Sequence, residues 1–179
     1  EQLSADAARL QEEVRRLGAP TISVNYTLAT ETEVVTRLLA AWQTFGFDTE
    51  TTSPEYAGVF ATDEATMVGY SVAWAPGQAA YVATEKIGDG MAGILGSPLW
   101  KKICHNAKFE VKVLQKQGIE LCNYEDTKIA AYMLGVPLTG LKVLTKQVLG
   151  IQPVTYDEVT EGGKQQISDL PAEIVMPYA

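Results

Sequence analysis

Two acids stand two residues apart at the end of an apolar run, in Phe45-Gly46-Phe47-Asp48-Thr49-Glu50-Thr51-Thr52. In a strand, residues i and i+2 share a face, so Asp48 and Glu50 point one way and Phe47 and Thr49 the other. Neighbouring carboxylates repel each other and are tolerated where solvent is close or a cation sits between them. A hard dication with oxygen ligands suits such a pair. A strand end running into a polar turn, with both acids solvated, fits the spacing as well, and the spacing alone favours it. The metal reading needs further ligands from the rest of the chain.

Few other residues offer chemistry of their own. His105 is the sole histidine, and no nucleophile and orienting acid accompany it in a triad pattern. Cys104 and Cys122 lack zinc or redox spacing and read as two buried free thiols in a reducing compartment. Gly88-x-Gly90-x-x-Gly93 matches a dinucleotide-binding pattern but lacks the preceding strand, so it reads as chance. Asp126 reads as a helix N-cap, and the acids at 157, 158 and 161 as a solvated loop. For Lys108, a phosphate contact and a solvated lysine at a helix start are equally open.

The formal net charge of −8 over 179 residues argues against a protein that holds nucleic acid by broad phosphate neutralisation. It leaves room for a nuclease that grips a strand end through metals, with substrate delivered by a more basic neighbour. No run approaches the length of a membrane span and no signal peptide is visible, so no membrane partner is expected.

The elements that must position the acids follow from periodicity. A helix is expected over 4–17, ended by Gly18 and Pro20; it suits a linker or a frayed extension. Residues 22–28 read as a strand. Thr30-x-x-Glu33 resembles a capping box, opening a helix with Val34, Val35, Leu38, Leu39 and Trp42 on one face. After the acidic strand and a polar loop over 52–64, residues 67–74 and 79–83 flank Pro76-Gly77 as a hairpin. A loop or weak helix at 88–96 and a strand at 101–104 come next. A helix over 107–117 is capped by Gly118, and 119–123 reads as a short strand or extended piece. Helices are then expected over 126–134, with Ile129, Ala130 and Met133 inward, and from Thr139 to Gly150. Residues 151–166 read as irregular, and Ser168 as the cap of a last helix. Strands first, then alternating strands and helices, give an α/β domain with a mixed sheet covered on both faces.

On these residues a family resemblance appears. The run 47–51 resembles the first exonuclease motif of family A DNA polymerases, the bacterial DNA polymerase I group. Residues 67–73 with 76–82 resemble the hairpin that follows it. His105-Asn106-Ala107-Lys108-Phe109-Glu110, with Gly118-Ile119, resembles the second motif, and Asp126-Thr127-x-x-Ala130-Ala131-Tyr132 the helix beyond. The resemblance runs from about residue 22 to the end, in the family's order. It implies a ribonuclease H-like fold of the DEDD exonucleases: an antiparallel start of three strands, then parallel additions. It divides the chain into a linker helix over 1–21 and an exonuclease domain over 22–179.

The resemblance also implies an activity, proofreading by hydrolysis of the terminal phosphodiester at a single-stranded DNA 3′ end. Two divalent ions, Mg2+ or Mn2+, would do this chemistry. Asp48, Glu50 and Glu110 would be the metal ligands, and Tyr178 would orient the attacking water. Thr49, His105, Asn106 and Lys108 would contact the strand end. A C-terminal polymerase domain of the same protein is the implied partner, in the cytoplasm of a bacterial or phage-infected cell. The chain departs from the group at two places. Glu110 stands where the group has Asp, and the chain ends before the acid of the third motif, Tyr-x-x-x-Asp. A fragment with little turnover alone is therefore expected. The rival readings are a catalytically decayed scaffold for a polymerase domain and an RNase D-like RNA exonuclease.

Overall fold

A computed structural model describes residues 12, 25–41, 44–52, 65–136 and 139–179. The helix expected over 4–17 (Glu12 apart), the 1–21 domain boundary, Trp42 and most of the 52–64 loop lie outside these residues.

The acidic run is the third-from-edge strand of a mixed sheet. In chain order the elements are β1 (Asn25–Leu28), α1 (Glu31–Ala41), β2 (Thr44–Thr51), β3 (Met67–Ala75) and β4 (Gln78–Ala83). There follow α2 (Asp89–Gly96), β5 (Lys101–Cys104), α3 (Ala107–Gln115), β6 (Tyr124–Asp126) and α4 (Thr127–Met133). The last are α5 (Leu141–Leu144), running into a π-helical turn Thr145–Leu149, then α6 (Tyr156–Val159), a 3-10 turn Ile167–Asp169 and α7 (Ala172–Val175). The six strands lie in the order β1-β4-β3-β2-β5-β6. β2, β3 and β4 form an antiparallel meander, and β5 joins β2 and β6 joins β5 in parallel. β1 adds to the far edge, parallel to β4. The expected ribonuclease H-like α/β plan is the observed one.

Register explains the two faces. Phe47, Val72 and Ala80 are paired across β2, β3 and β4, as are Thr49, Tyr70 and Val82. Side chains of these rows enter a core with Val34 and Leu38 of α1, Met91, Ile94 and Leu95 of α2, and Val113 and Leu114 of α3. Each fully buried aliphatic or aromatic side chain there contributes about 1.5–3 kcal/mol from apolar burial. The neighbouring rows, Asp48-Ser71-Tyr81 and Glu50-Gly69-Ala83, belong to the other face. There Tyr81 packs with Ile167 and Val175 of the C-terminal turns. The last segment of the chain is thereby seated on the acid-bearing face.

Local sequence rules explain most element ends. Thr30 and Glu33 form the expected capping box, with Thr30 N–H donating to Glu33 Oε2 at 2.8 Å and Glu33 N–H to Thr30 Oγ1 at 3.3 Å. Gly77 turns the hairpin at φ 74°, where a side chain would be strained. The glycines at 88, 90 and 93 open α2 rather than a phosphate loop. Gly88 N–H donates to Glu31 Oε2 at 2.8 Å, and a Cβ at 88 would meet that carboxylate.

Several expectations are corrected. Leu39 is exposed; α1 buries Val34 and Leu38 and packs the half-buried Val35 against the core. The strand after α3 is 124–126, not 119–123; Lys102 N–H bonds to Asn123 O, and Tyr124 is the first residue in register with β5. In α4, Ala131 is the buried residue, while Ile129 and Met133 are exposed. Gly140, not Thr139, stands at the N-cap of α5. Residues 151–166 hold a capped helix, α6, whose Thr155–Glu158 capping box takes Glu158 out of the solvated loop. Pro171, not Ser168, precedes α7; the Ser168 hydroxyl faces Asp169 Oδ1 at 3.3 Å. Of the two free thiols, Cys104 is buried and Cys122 only partly so.

Candidate active site

One cleft of about 270 Å3 is lined by Asp48, Thr49, Glu50, His105, Asn106, Phe109, Glu110, Tyr156 and Tyr178, among others. Residues far apart in sequence are brought there by three devices. β2 delivers Asp48 and Glu50 on one face. The β5–α3 connection delivers His105, Asn106 and Glu110. The C-terminal turns lay Tyr178 across, its ring 6.1 Å from that of Tyr156 in an edge arrangement.

The β5–α3 corner is held by Asp126. Its Oδ1 accepts from Asn106 N–H at 3.0 Å and Lys128 N–H at 2.9 Å, and its Oδ2 from Ala107 N–H at 2.8 Å. One carboxylate therefore caps two helices, α3 and α4, where the sequence signalled only the second. The cap lets Asn106 sit in the left-handed region at φ 74°. Burial works against the charged form of Asp126, but these backbone donors outweigh it and hold its carboxyl below the usual range.

The acids are short of positive charge. Glu110 is 2% exposed and accepts from the Thr49 hydroxyl at 2.6 Å. Burial, and then Asp48, push its carboxyl well above the ordinary glutamate range. Burial pushes Asp48 up to about 6, against the pull of Lys142 and a hydrogen bond with Glu110. Burial, reinforced by Asp48, pushes Glu50 up to about 8. Among the described residues, no three His, Cys, Asp or Glu side chains are gathered so as to hold an ion as they stand. The donor set nevertheless suits a hard cation: two buried carboxyls (Glu50 and Glu110) and a half-buried one (Asp48), one ammonium nearby, and no soft ligand in the cleft.

The other expected residues divide. His105 Nε2 lies 2.8 Å from the Thr139 carbonyl, which only accepts, so this nitrogen carries a proton; Nδ1 faces Thr127 Oγ1 at 2.9 Å. Burial lowers the His105 pKa. The Asn106 side-chain oxygen accepts from Lys128 Nζ at 3.2 Å. The Thr49 side chain is committed to Glu110. Lys108 is exposed at the start of α3, outside the clefts around the acids. Burial, then Glu50 and Asp48, push the Tyr178 phenol upward.

Several lining residues escaped the sequence reading, Phe109 among them, and three of these are polar or charged side chains beside the acids. Lys142 reaches the acids from α5, and its amine donates to the Tyr178 carbonyl at 2.6 Å. Tyr156 enters through α6, in a stretch whose composition reads as loop. Tyr81 lies on the acid face beside Gly69. Only the Thr155-x-x-Glu158 capping pattern could have flagged one of them in advance.

A sheet of this order, with acids on its central strand and second-motif residues at the neighbouring strand end, defines the ribonuclease H-like nuclease class. The sequence model described as 3′–5′ exonuclease of the family A DNA polymerases matches residues 24–179, and the chain belongs to that family. The DNA polymerase I of Chloroflexus aurantiacus is 35% identical over 162 residues, covering 82% of this chain and 16% of the relative. That of Synechocystis sp. is 33% identical over 129 residues, covering 64% of this chain and 13% of the relative. The chain thus spans a small share of the length of these relatives. In fold it is similar to Brucella melitensis NrnC with bound Mg2+, at a TM-score of 0.64 and 16% identity, covering 88% of this chain and 73% of that one. Among the described residues, no helix is long and apolar enough to cross a membrane.

Proposed function

We propose that this chain is the proofreading domain of a family A DNA polymerase, shortening a single-stranded DNA 3′ end by hydrolysis of its terminal phosphodiester. The observation that carries the reading is the convergence of Asp48, Glu50, Glu110 and Tyr178 on one cleft. Asp48, Glu50 and Glu110 are the residues that would hold divalent cations, Mg2+ or Mn2+, and two such ions fit the family chemistry. Bound there, they would supply an activated water and offset charge on the leaving oxygen.

The chain's own residues do the rest. Tyr178 keeps its phenolic proton at neutral pH and can donate it in a hydrogen bond that orients a water. His105 and Asn106 border the cleft where the terminal nucleotide enters. Phe109, Tyr156 and Tyr178 offer ring faces on which unpaired bases stack, worth about 1–3 kcal/mol per base. A domain of net charge −8 gains little from phosphate neutralisation, so a polymerase domain in the same protein delivers the strand.

The test is a degradation assay on 5′-labelled single-stranded DNA and RNA, with Mg2+ or Mn2+, using the polymerase polypeptide that carries this chain. Stepwise shortening of DNA that Asp48→Ala and Glu50→Ala each abolish is the expected result. Preference for RNA would favour an RNase D-like enzyme. One observation favours the scaffold reading, namely that Glu110, one methylene longer than Asp, is engaged by Thr49. No shortening under any condition would establish that reading.

A further inference from the structure

Among the described residues lining the clefts around Asp48 and Glu50, Lys142 is the single Lys or Arg. Two contacts fix its amine. It donates to the Tyr178 carbonyl at 2.6 Å and stands 4.3 Å from the centroid of the Tyr178 ring. The start of its helix is fixed in turn, because His105 Nε2 donates to the Thr139 carbonyl at 2.8 Å. The amine is thus held at the cleft by neutral groups; burial lowers its pKa, while Glu50 and Asp48 act on it through space to favour the charged form.

We propose that Lys142 is the resident counter-cation of the acid cleft, a fixed positive charge that an entering divalent ion has to compete with, and that it thereby sets the metal affinity of the site. The proposal rests on the exonuclease reading above. The physical basis is Coulombic. With every group ionised, three carboxylates and one ammonium leave a charge that one dication balances; without the ammonium the cleft would draw the dication more strongly. A unit charge within several ångströms of a dication, in a partly desolvated site, changes affinity by a factor well above measurement error. The anchor on Tyr178 makes the charge a built feature, since a free lysine would swing into solvent when a dication entered.

The experiment is calorimetric titration of Mn2+ into the full chain, comparing the unsubstituted protein with Lys142→Met, Lys142→Arg and Asp48→Ala at neutral pH and low salt. Lys142→Met is expected to bind Mn2+ about threefold tighter or more, and Lys142→Arg to stay within about twofold of the unsubstituted protein. The difference should shrink as salt is added. Far-UV circular dichroism and a cooperative melt without metal establish that each variant is folded. Should Lys142→Met not fold, Lys142→Gln, which keeps a donor for the Tyr178 carbonyl, carries the same comparison. Mn2+ binding that Asp48→Ala abolishes but the neutral variants do not tighten overturns the proposal alone. Mn2+ binding indifferent to Asp48→Ala overturns the metal assignment, and the proposal with it.

Discussion

Thr49 donates its hydroxyl hydrogen to Glu110 Oε2 at 2.6 Å, joining the buried acid of α3 to the strand that carries the other two. The bond gives Glu110 a partner that costs no net charge. Thr49→Val keeps the shape and removes the donor, leaving a buried carboxyl oxygen without it. An unsatisfied buried polar group costs about 1–3 kcal/mol, and urea denaturation of the variant should show a loss of that size. Thr49→Ser keeps the donor and should recover most of it. Equal stability of the valine variant and the parent would mean that Glu110 does not depend on this bond.

The acids make the metal-free protein sensitive to pH in an unusual direction. Asp48 is raised from the ordinary value to about 6 and Glu50 to about 8, and Glu110 is raised as well. Between about pH 4 and pH 8 the folded protein therefore holds protons that the unfolded chain has lost. Stability falls as pH rises through that window, because the folded state binds more protons. In a chelating buffer the melting temperature should be higher at pH 5.5 than at pH 8. Glu50→Gln, neutral at every pH, should flatten the slope. Divalent metal should reverse the trend, since binding to carboxylates releases protons and tightens as pH rises. A melting temperature that climbs from pH 5.5 to pH 8 without metal would contradict the raised values.

Asp126 acts with the opposite sign. Its carboxyl is held low by the backbone donors of α3 and α4, so the stability it contributes is present above the unfolded pKa and is lost as pH falls through the folded one. Asp126→Ala removes the cap from two helices at once. At about 1 kcal/mol or more for each cap, with amides left without partners, a loss of about 2–4 kcal/mol is expected in denaturant unfolding. Asp126→Asn keeps one acceptor oxygen and should lose less. A loss no larger than that of an ordinary single cap would show that the α3 donors find other partners.

How much of this was legible beforehand depends on the range of the signal. The acidic strand, the hairpin at Pro76-Gly77 and the Thr30–Glu33 capping box are set by neighbours within a few residues, and the structure reproduces them. So is the pairing of Asp48 with Glu50 on one face, which follows from the strand period. The inward faces of α1 and α4 were misread because apolar composition does not tell which apolar residues meet a partner; Leu39, Ile129 and Met133 stay exposed. The double role of Asp126 and the approach of Lys142 were not legible. Each depends on contacts between residues nineteen or more apart, which no local pattern records.

Gly69 offers a test of the acid face that leaves the acids untouched. It lies opposite Glu50 on β2 and opposite Ala83 on β4, and the Tyr81 ring leans over it. A Cβ at this position would overlap the Tyr81 hydroxyl and ring carbons. Tyr81 cannot swing away freely, because it is buried with Ile167 and Val175, and its hydroxyl faces the Val68 carbonyl at 3.4 Å. Gly69→Ala should therefore act as an overpacking substitution and cost about 1–3 kcal/mol in chemical denaturation. Tyr81→Ala alone should also destabilise, by opening a cavity between the sheet and the C-terminal turns. Together the two changes should be much less than additive, since removing the ring removes the collision, and the coupling should reach at least about 0.5 kcal/mol. Strict additivity would mean that the added methyl group is accommodated without touching Tyr81. The same double-mutant comparison followed through Mn2+ binding should show Gly69→Ala weakening the site, because displacing Tyr81 disturbs the floor beside Glu50 and the C-terminal segment that carries Tyr178.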